Sequence, residues 1–255
     1  DLASAFYGQA LKYEYVDLEN LKSIFTVEYQ QTKLVGDFLG ENPQVLFLHG
    51  GGGSTRHRFG PIRTHLLKTG LGSVAFDHIG HGDTAGEIGS SSLHDRTDQA
   101  LAVIKTLKLH EPLTLIGTSM GGYTAIKLSE LVPVQTLILG VPAAYTPTAY
   151  EAHFGTSFAS LIRVPDSWQD SDAWEILARF TGNLLIISGA LDIKIPPVVI
   201  QRMYDSAVNA KHRELFVLPN SDHGIMRHIA THPDDLALVL RTLDRVMGAS
   251  MNDEL

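Results

Sequence analysis

The chain has no cysteine in its 255 residues. Disulfides, thiolate metal sites and a cysteine nucleophile are thereby excluded. Basic residues are in short supply. Lys and Arg number 20 against 28 Asp and Glu, for a net charge of −8, which argues against a nucleic-acid footprint and against attraction to an anionic membrane. No run of about eighteen apolar residues is present, so no membrane span is expected. No secretory leader pattern follows Asp1, and with disulfides absent the expectation is a cytoplasmic protein. No internal repeat, low-complexity tract or Pro/Gly linker divides the chain. Its length suits one large α/β domain or two small ones.

What is there is a regular alternation. Tyr13 to Leu18 and Ile24 to Tyr29 read as opening strands, antiparallel because few residues separate them. From residue 44 onward, apolar strand-type runs alternate with helical patterns. The runs are Gln44–Leu48, Ser73–Phe76, Leu113–Ile116, Val134–Leu139, Leu184–Ser188 and Glu214–Leu218. Helices are expected over Arg56–Lys68, Ser91–Leu109 (with Ser92 and Asp95 as a capping-box variant), Pro196–Ala210 and Pro233–Met247. Such alternation predicts a mostly parallel sheet with helices on both faces. In sheets of that kind the active groups sit beyond the carboxyl ends of the strands. Residues 143–181 break the pattern. They hold both tryptophans, Trp168 and Trp174, with Phe154 and Phe158, and read as an inserted helical cap. The core is then 1–142 and 182–255.

The central stretch is Leu113 to Tyr123. An apolar strand runs into Gly117-Thr118-Ser119-Met120-Gly121, and a helical pattern follows at once. A G-x-S-x-G turn between strand and helix holds its serine at a sharp apex, with the hydroxyl above the sheet edge. Gly117 and Gly121 leave room for close packing. The N–H of Met120, at the start of the helix, is placed to receive a developing oxyanion.

A serine hydroxyl needs an adjacent base, and that base needs an orienting carboxylate. Asp192 follows one strand and His223 follows the last, in the order Ser, Asp, His expected when the nucleophile lies on such an elbow. Asp166, Asp170 and Asp172 lie in the inserted region and read as solvated charge. Asp222 points away if His223 points inward, and His212, His228 and His232 are weaker candidates for the base. The run His49-Gly50-Gly51-Gly52-Gly53 lets the backbone approach a bound carbonyl. The N–H of Gly51 is the expected second oxyanion donor, with Gly52 the near alternative. A phosphate loop would need a lysine after these glycines, and none follows. A dinucleotide site would leave the elbow and His223 unexplained, although Asp77 stands near the right distance. His78 and His81, without a third ligand nearby, read as a turn rather than a metal pair. The terminal Asn252–Leu255 reads as a frayed end rather than a retention signal.

These motifs, with Asp77-His78-Ile79-Gly80-His81-Gly82 and Gly189-Ala190-Leu191-Asp192, make the chain resemble the α/β-hydrolase superfamily. The resemblance implies an α/β-hydrolase fold: an eight-stranded sheet with a helical cap after the sixth strand. It implies Ser119 as nucleophile, Asp192 as acid, His223 as base, and the amides of Gly51 and Met120 as oxyanion donors. Two departures leave the subfamily open: there is no arginine in the Asp77–Gly82 motif, and Thr118 rather than histidine precedes the serine. The expected activity is hydrolysis of small to medium carboxylic esters, with no cofactor and no metal, by a monomer or homodimer. Thioester, C–C or perhydrolase chemistry on the same fold is the alternative, and a small-ligand sensor a more distant one. Dehalogenation would need a carboxylate where Ser119 stands. The cap residues Tyr145, Tyr150, Phe154, Phe158, Leu161, Trp168, Trp174 and Leu177 are expected mainly to pack the cap onto the body, with an apolar acyl pocket as the other use.

Overall fold

The computed structural model describes residues 18–251. The strand expected at Tyr13–Leu18 and the terminal Asn252–Leu255 lie outside them, except that Leu18 opens a single helical turn, Leu18–Leu21. The eight strands are β1 Lys22–Tyr29, β2 Thr32–Leu39, β3 Val45–Leu48, β4 Ser73–Phe76, β5 Leu113–Thr118, β6 Val134–Gly140, β7 Asn183–Gly189 and β8 His212–Leu218. They form one sheet in the order β1-β2-β4-β3-β5-β6-β7-β8. β2 runs antiparallel to both of its neighbours, and every other pair is parallel. The helices are α1 Gly60–Lys68, α2 Leu93–Leu107, α3 Met120–Leu128, α4 Thr156–Ile162, α5 Ala173–Arg179, α6 Pro197–Ser206, α7 Ile225–Thr231 and α8 Pro233–Met251. This is the α/β-hydrolase fold.

The central strands are buried along their whole length, as expected where helices cover both faces. Alternate residues separate cleanly. Leu46, Leu48, Leu113, Leu115, Leu137 and Leu139 pack toward α2, α3, α5 and α6. Val45, Phe47, Ile116, Ile138 and Leu185 pack toward α1, α7 and α8. Ser92 and Asp95 form the capping box that starts α2.

Three elements differ from expectation. The antiparallel partner of β1 is β2, which the sequence pattern did not announce. β2 carries Gly36 and Asp37 where a strand would normally hold apolar residues. A Cβ on Gly36 would sit 2.4 Å from the Phe25 ring and from the Ala75 carbonyl oxygen, and Asp37 is buried between Arg56 and Arg63. The helix α7 was also unforeseen. It begins two residues after His223 and buries Ile225, Met226 and Ile229. Finally, α6 is shorter than expected and ends at Ser206. Between β6 and β7 the described chain forms α4, α5 and two short 3-10 turns, with no strand.

Candidate active site

Loops from the carboxyl ends of β3, β5, β7 and β8 converge on one cavity of about 450 Å³. β5 delivers Ser119 on the turn into α3. Its backbone adopts φ 53°, ψ −117°, a strained region for a residue with a side chain. Backbone hydrogen bonds hold it there. Its N–H donates to Gly140 O (2.9 Å), and its carbonyl accepts from Gly122 N (3.0 Å) and Ala143 N (3.1 Å). A Cβ on Gly117 would lie 2.3 Å from Gly121 O, and one on Gly121 would lie 2.1 Å from Leu48 O. No side chain fits at either position, so both glycines are required by packing.

β7 delivers Asp192 and β8 delivers His223. The two loops are tied together: Ala190 N donates to Leu218 O and Leu191 N to Ser221 O, each at 2.9 Å. Asp192 is nearly buried. Its Oδ1 accepts from the N–H groups of Lys194 (2.8 Å) and Ile195 (3.1 Å), which orients Oδ2 toward His223 Nδ1 at 2.9 Å. The other ring nitrogen, Nε2, lies 3.0 Å from Ser119 Oγ. A neutral imidazole with its proton on Nδ1 donates to Asp192 and leaves Nε2 free to accept from the serine. The competing groups are engaged elsewhere. Asp222 accepts from Gly224 N (2.8 Å), His228 pairs with Asp235 (2.5 Å), His232 stacks on His228, and His212 is exposed beside Glu214.

The glycine loop after β3 passes over the start of α3. A Cβ on Gly50 would lie 3.5 Å from that of Ser119, and one on Gly51 would lie 3.1 Å from Met120 Cε. Gly50, Gly51 and Met120 line the cavity beside Ser119. As the first residue of α3, Met120 has an N–H with no acceptor inside the helix. Gly52 is needed for conformation rather than space: it has φ +62° and no neighbour where a Cβ would go.

Two arginines brace this loop, and the sequence reading assigned a role to neither. Arg56, just past the loop, is buried between Asp37 (2.7 Å) and Asp77, with Asp83 at 2.8 Å. Burial alone would lower its pKa, but these carboxylates outweigh that and raise it. Asp77, whose motif lacks an arginine, is thus met by one from another segment. Arg96, on α2, is 1% exposed. It donates to the carbonyls of His49 and Gly50 and lies 2.9 Å from Met120 Sδ. Among the described residues it has no carboxylate partner, and burial pulls its pKa down to about 9. No sequence pattern could have revealed this, because its partners are backbone carbonyls.

Around Arg96 lie His49, His78 and His81, all buried; His78 and His81 lie in a turn, with His81 N donating to His78 O (3.0 Å). His49 Nε2 accepts from His78 N (3.0 Å), and His78 Nδ1 meets Gln99 Oε1 (2.9 Å). Burial first, and then the charge of Arg96, depresses the pKa of all three rings. Among the described residues, no group of three or more His, Cys, Asp or Glu side chains is placed to hold a metal ion, and no helix is long and apolar enough to cross a membrane.

The cap residues mostly pack. Phe158, Trp174 and Leu177 are buried in the core, and of the eight aromatic and aliphatic residues singled out only Tyr145 lines the cavity. Asp172 is not the solvated charge expected. It accepts from Tyr123 Oη (2.7 Å) and Lys127 Nζ (2.6 Å), joining the elbow helix α3 to the start of α5.

Comparisons of sequence and of fold find the chain similar to α/β hydrolases. The Hydrolase_4 family model, described as serine aminopeptidase, S33, matches residues 41–165. Esterase Rv0045c of Mycobacterium tuberculosis is 32% identical over 117 residues, 45% of this chain; the match spans 37% of that curated relative's length. Among solved structures, the Pyrococcus furiosus esterase Pf2001 superposes with a TM-score of 0.67 at 24% identity, covering 90% of this chain and 95% of that one. Est1E from Butyrivibrio proteoclasticus, solved with ferulic acid bound, gives a TM-score of 0.69 at 19% identity, covering 89% and 99%.

Proposed function

We propose that the protein is a serine hydrolase that cleaves carboxylic esters of small to medium acyl groups through an acyl-enzyme. One observation carries this reading: the imidazole of His223 bridges Ser119 Oγ at 3.0 Å and Asp192 Oδ2 at 2.9 Å. His223 Nε2 takes the hydroxyl proton as Oγ attacks the ester carbonyl. Asp192 holds the ring in the productive tautomer and stabilises the imidazolium. The amides of Gly51 and Met120 receive the oxyanion of the tetrahedral intermediate. Collapse breaks the bond to the alkoxide, which leaves with the proton from His223. Water, deprotonated by the same imidazole, then attacks the acyl-enzyme and releases the acid, restoring Ser119. These side chains, two backbone amides and water supply every step. A cavity of about 450 Å³ suits acyl groups of this size, and the esterase relatives agree with the bond class.

The test is Ser119→Ala. Turnover of p-nitrophenyl acetate and butyrate should fall to background with the circular dichroism spectrum unchanged, and covalent labelling by a fluorophosphonate should disappear. Full activity in that variant would overturn the reading.

A further inference from the structure

The cavity that holds Ser119 carries charge of one sign. Arg58, Lys194 and Arg227 line it, and no Asp or Glu does. That is unexpected in a chain whose net charge is −8. Elsewhere on the exposed surface some cations meet carboxylates, as in Arg179–Glu130 and Arg245–Glu214. Among the described residues, none of the three cavity cations forms an ion pair or a side-chain hydrogen bond. Each also stands beside a different part of the machinery. Arg58 follows the glycine loop, Lys194 follows Asp192, whose carboxylate accepts its N–H, and Arg227 sits on α7 just past His223.

From this we infer that the site takes esters whose non-reacting part ends in an anion, a carboxylate or a phosphate-type group. This deepens the proposed ester hydrolysis and rests on it. A cleft lined by one sign of charge concentrates ligands of the opposite sign and speeds their capture. Two guanidiniums and one ammonium offer the planar and point-charge donors that carboxylate and phosphate oxygens accept. Val141, Tyr145, Ile225 and Met226 line the same cavity, an apolar stretch suited to the methylenes linking ester to anion. A neutral ester would gain only that stretch.

The experiment compares kcat/KM for three ethyl esters of similar length: ethyl heptanoate, monoethyl adipate and ethyl 5-phosphonopentanoate. The anionic esters are expected to be preferred by about tenfold or more at low ionic strength, and the preference should shrink as salt screens the cations. The relative rates of carboxylate and phosphonate identify the preferred anion. In the variant Arg58→Gln/Lys194→Gln/Arg227→Gln the anionic-to-neutral ratio should fall about tenfold, and Lys194→Arg alone should retain it. Equal rates on neutral and anionic esters in the wild type, or a ratio that the triple substitution does not move, would overturn the inference and leave the hydrolase standing. If no ester is turned over and Ser119 is not labelled, the hydrolase reading fails. The anion site is then judged by calorimetric titration of ethyl 5-phosphonopentanoate at low and high salt. Salt-sensitive binding that the triple variant loses supports the site, and its absence refutes it.

Discussion

Acidification below neutrality should cost this protein stability through its buried histidines. His49 and His78 are 0% and 1% exposed, and burial next to the Arg96 guanidinium keeps their pKa values well below the ordinary 6.5. In the unfolded chain both rings take up a proton as the pH falls through that ordinary value. In the folded chain they stay neutral. The unfolded state then binds more protons, so stability rises with pH across the window beneath 6.5 and is lost as pH falls through it. For each ring held fully neutral, the loss between about pH 7.5 and pH 5.5 is about 1.4 kcal/mol, and two rings give about 3 kcal/mol. That is a large part of the roughly 5–15 kcal/mol of an ordinary domain. His94 works in the opposite direction: a hydrogen bond to Glu151 raises its pKa, so its contribution is present at low pH and offsets part of the loss. Urea unfolding at a series of pH values reads the effect. In His78→Gln the slope of unfolding free energy against pH should drop by about one proton, at most about 1.4 kcal/mol per pH unit. The slope is the decisive quantity, because it is insensitive to any fixed destabilisation by the substitution. A slope in His78→Gln equal to that of the wild type would refute the reasoning.

Further predictions concern the site and its supports. Asp192→Asn should leave the fold intact and lower kcat by about 10³–10⁴, because an amide cannot hold His223 with its proton on Nδ1; ester kinetics beside a thermal melt check this. Arg96→Met should lower kcat by about tenfold to a hundredfold, because the His49 and Gly50 carbonyls lose their clamp and the glycine loop loosens over Met120. Hydrogen exchange at residues 50–53 should quicken in the same variant, and unchanged exchange with unchanged kcat would deny the clamp. Gly121→Ala should destabilise by about 3 kcal/mol or more, since its Cβ would sit 2.1 Å from Leu48 O. Gly52→Ala, strained only by its positive φ, should cost about 1 kcal/mol; chemical denaturation separates the two.

Much of this could be read before any coordinates. The parallel strands are continuous apolar runs because both of their faces are covered, and that signal is local. The elbow was legible for the same reason: strand, glycine, serine, glycine and helix are contiguous, so their geometry follows from neighbours in the chain. Asp192 and His223 were nominated by their place after strands and by their order. β2 was missed because its interior Asp37 is buried only by virtue of Arg56 and Arg63, which come from other elements. The short helix α7 was missed because its apolar face, Ile225, Met226 and Ile229, is too brief for its period to stand out. Asp172 was misjudged because a carboxylate reads as solvated until Tyr123 and Lys127 arrive beside it.

The amino-acid order by itself determined the layered architecture and nominated the serine, the carboxylate and the imidazole, because periodicity and turn chemistry are properties of short segments. Only the tertiary structure decided that the imidazole meets both of its partners. It alone showed that Arg96 holds the glycine-loop carbonyls with no carboxylate partner among the described residues, and that three cations from separate segments face one cavity. Those are relations between residues far apart in the chain, set by how the sheet brings its loops together, and no local pattern encodes them.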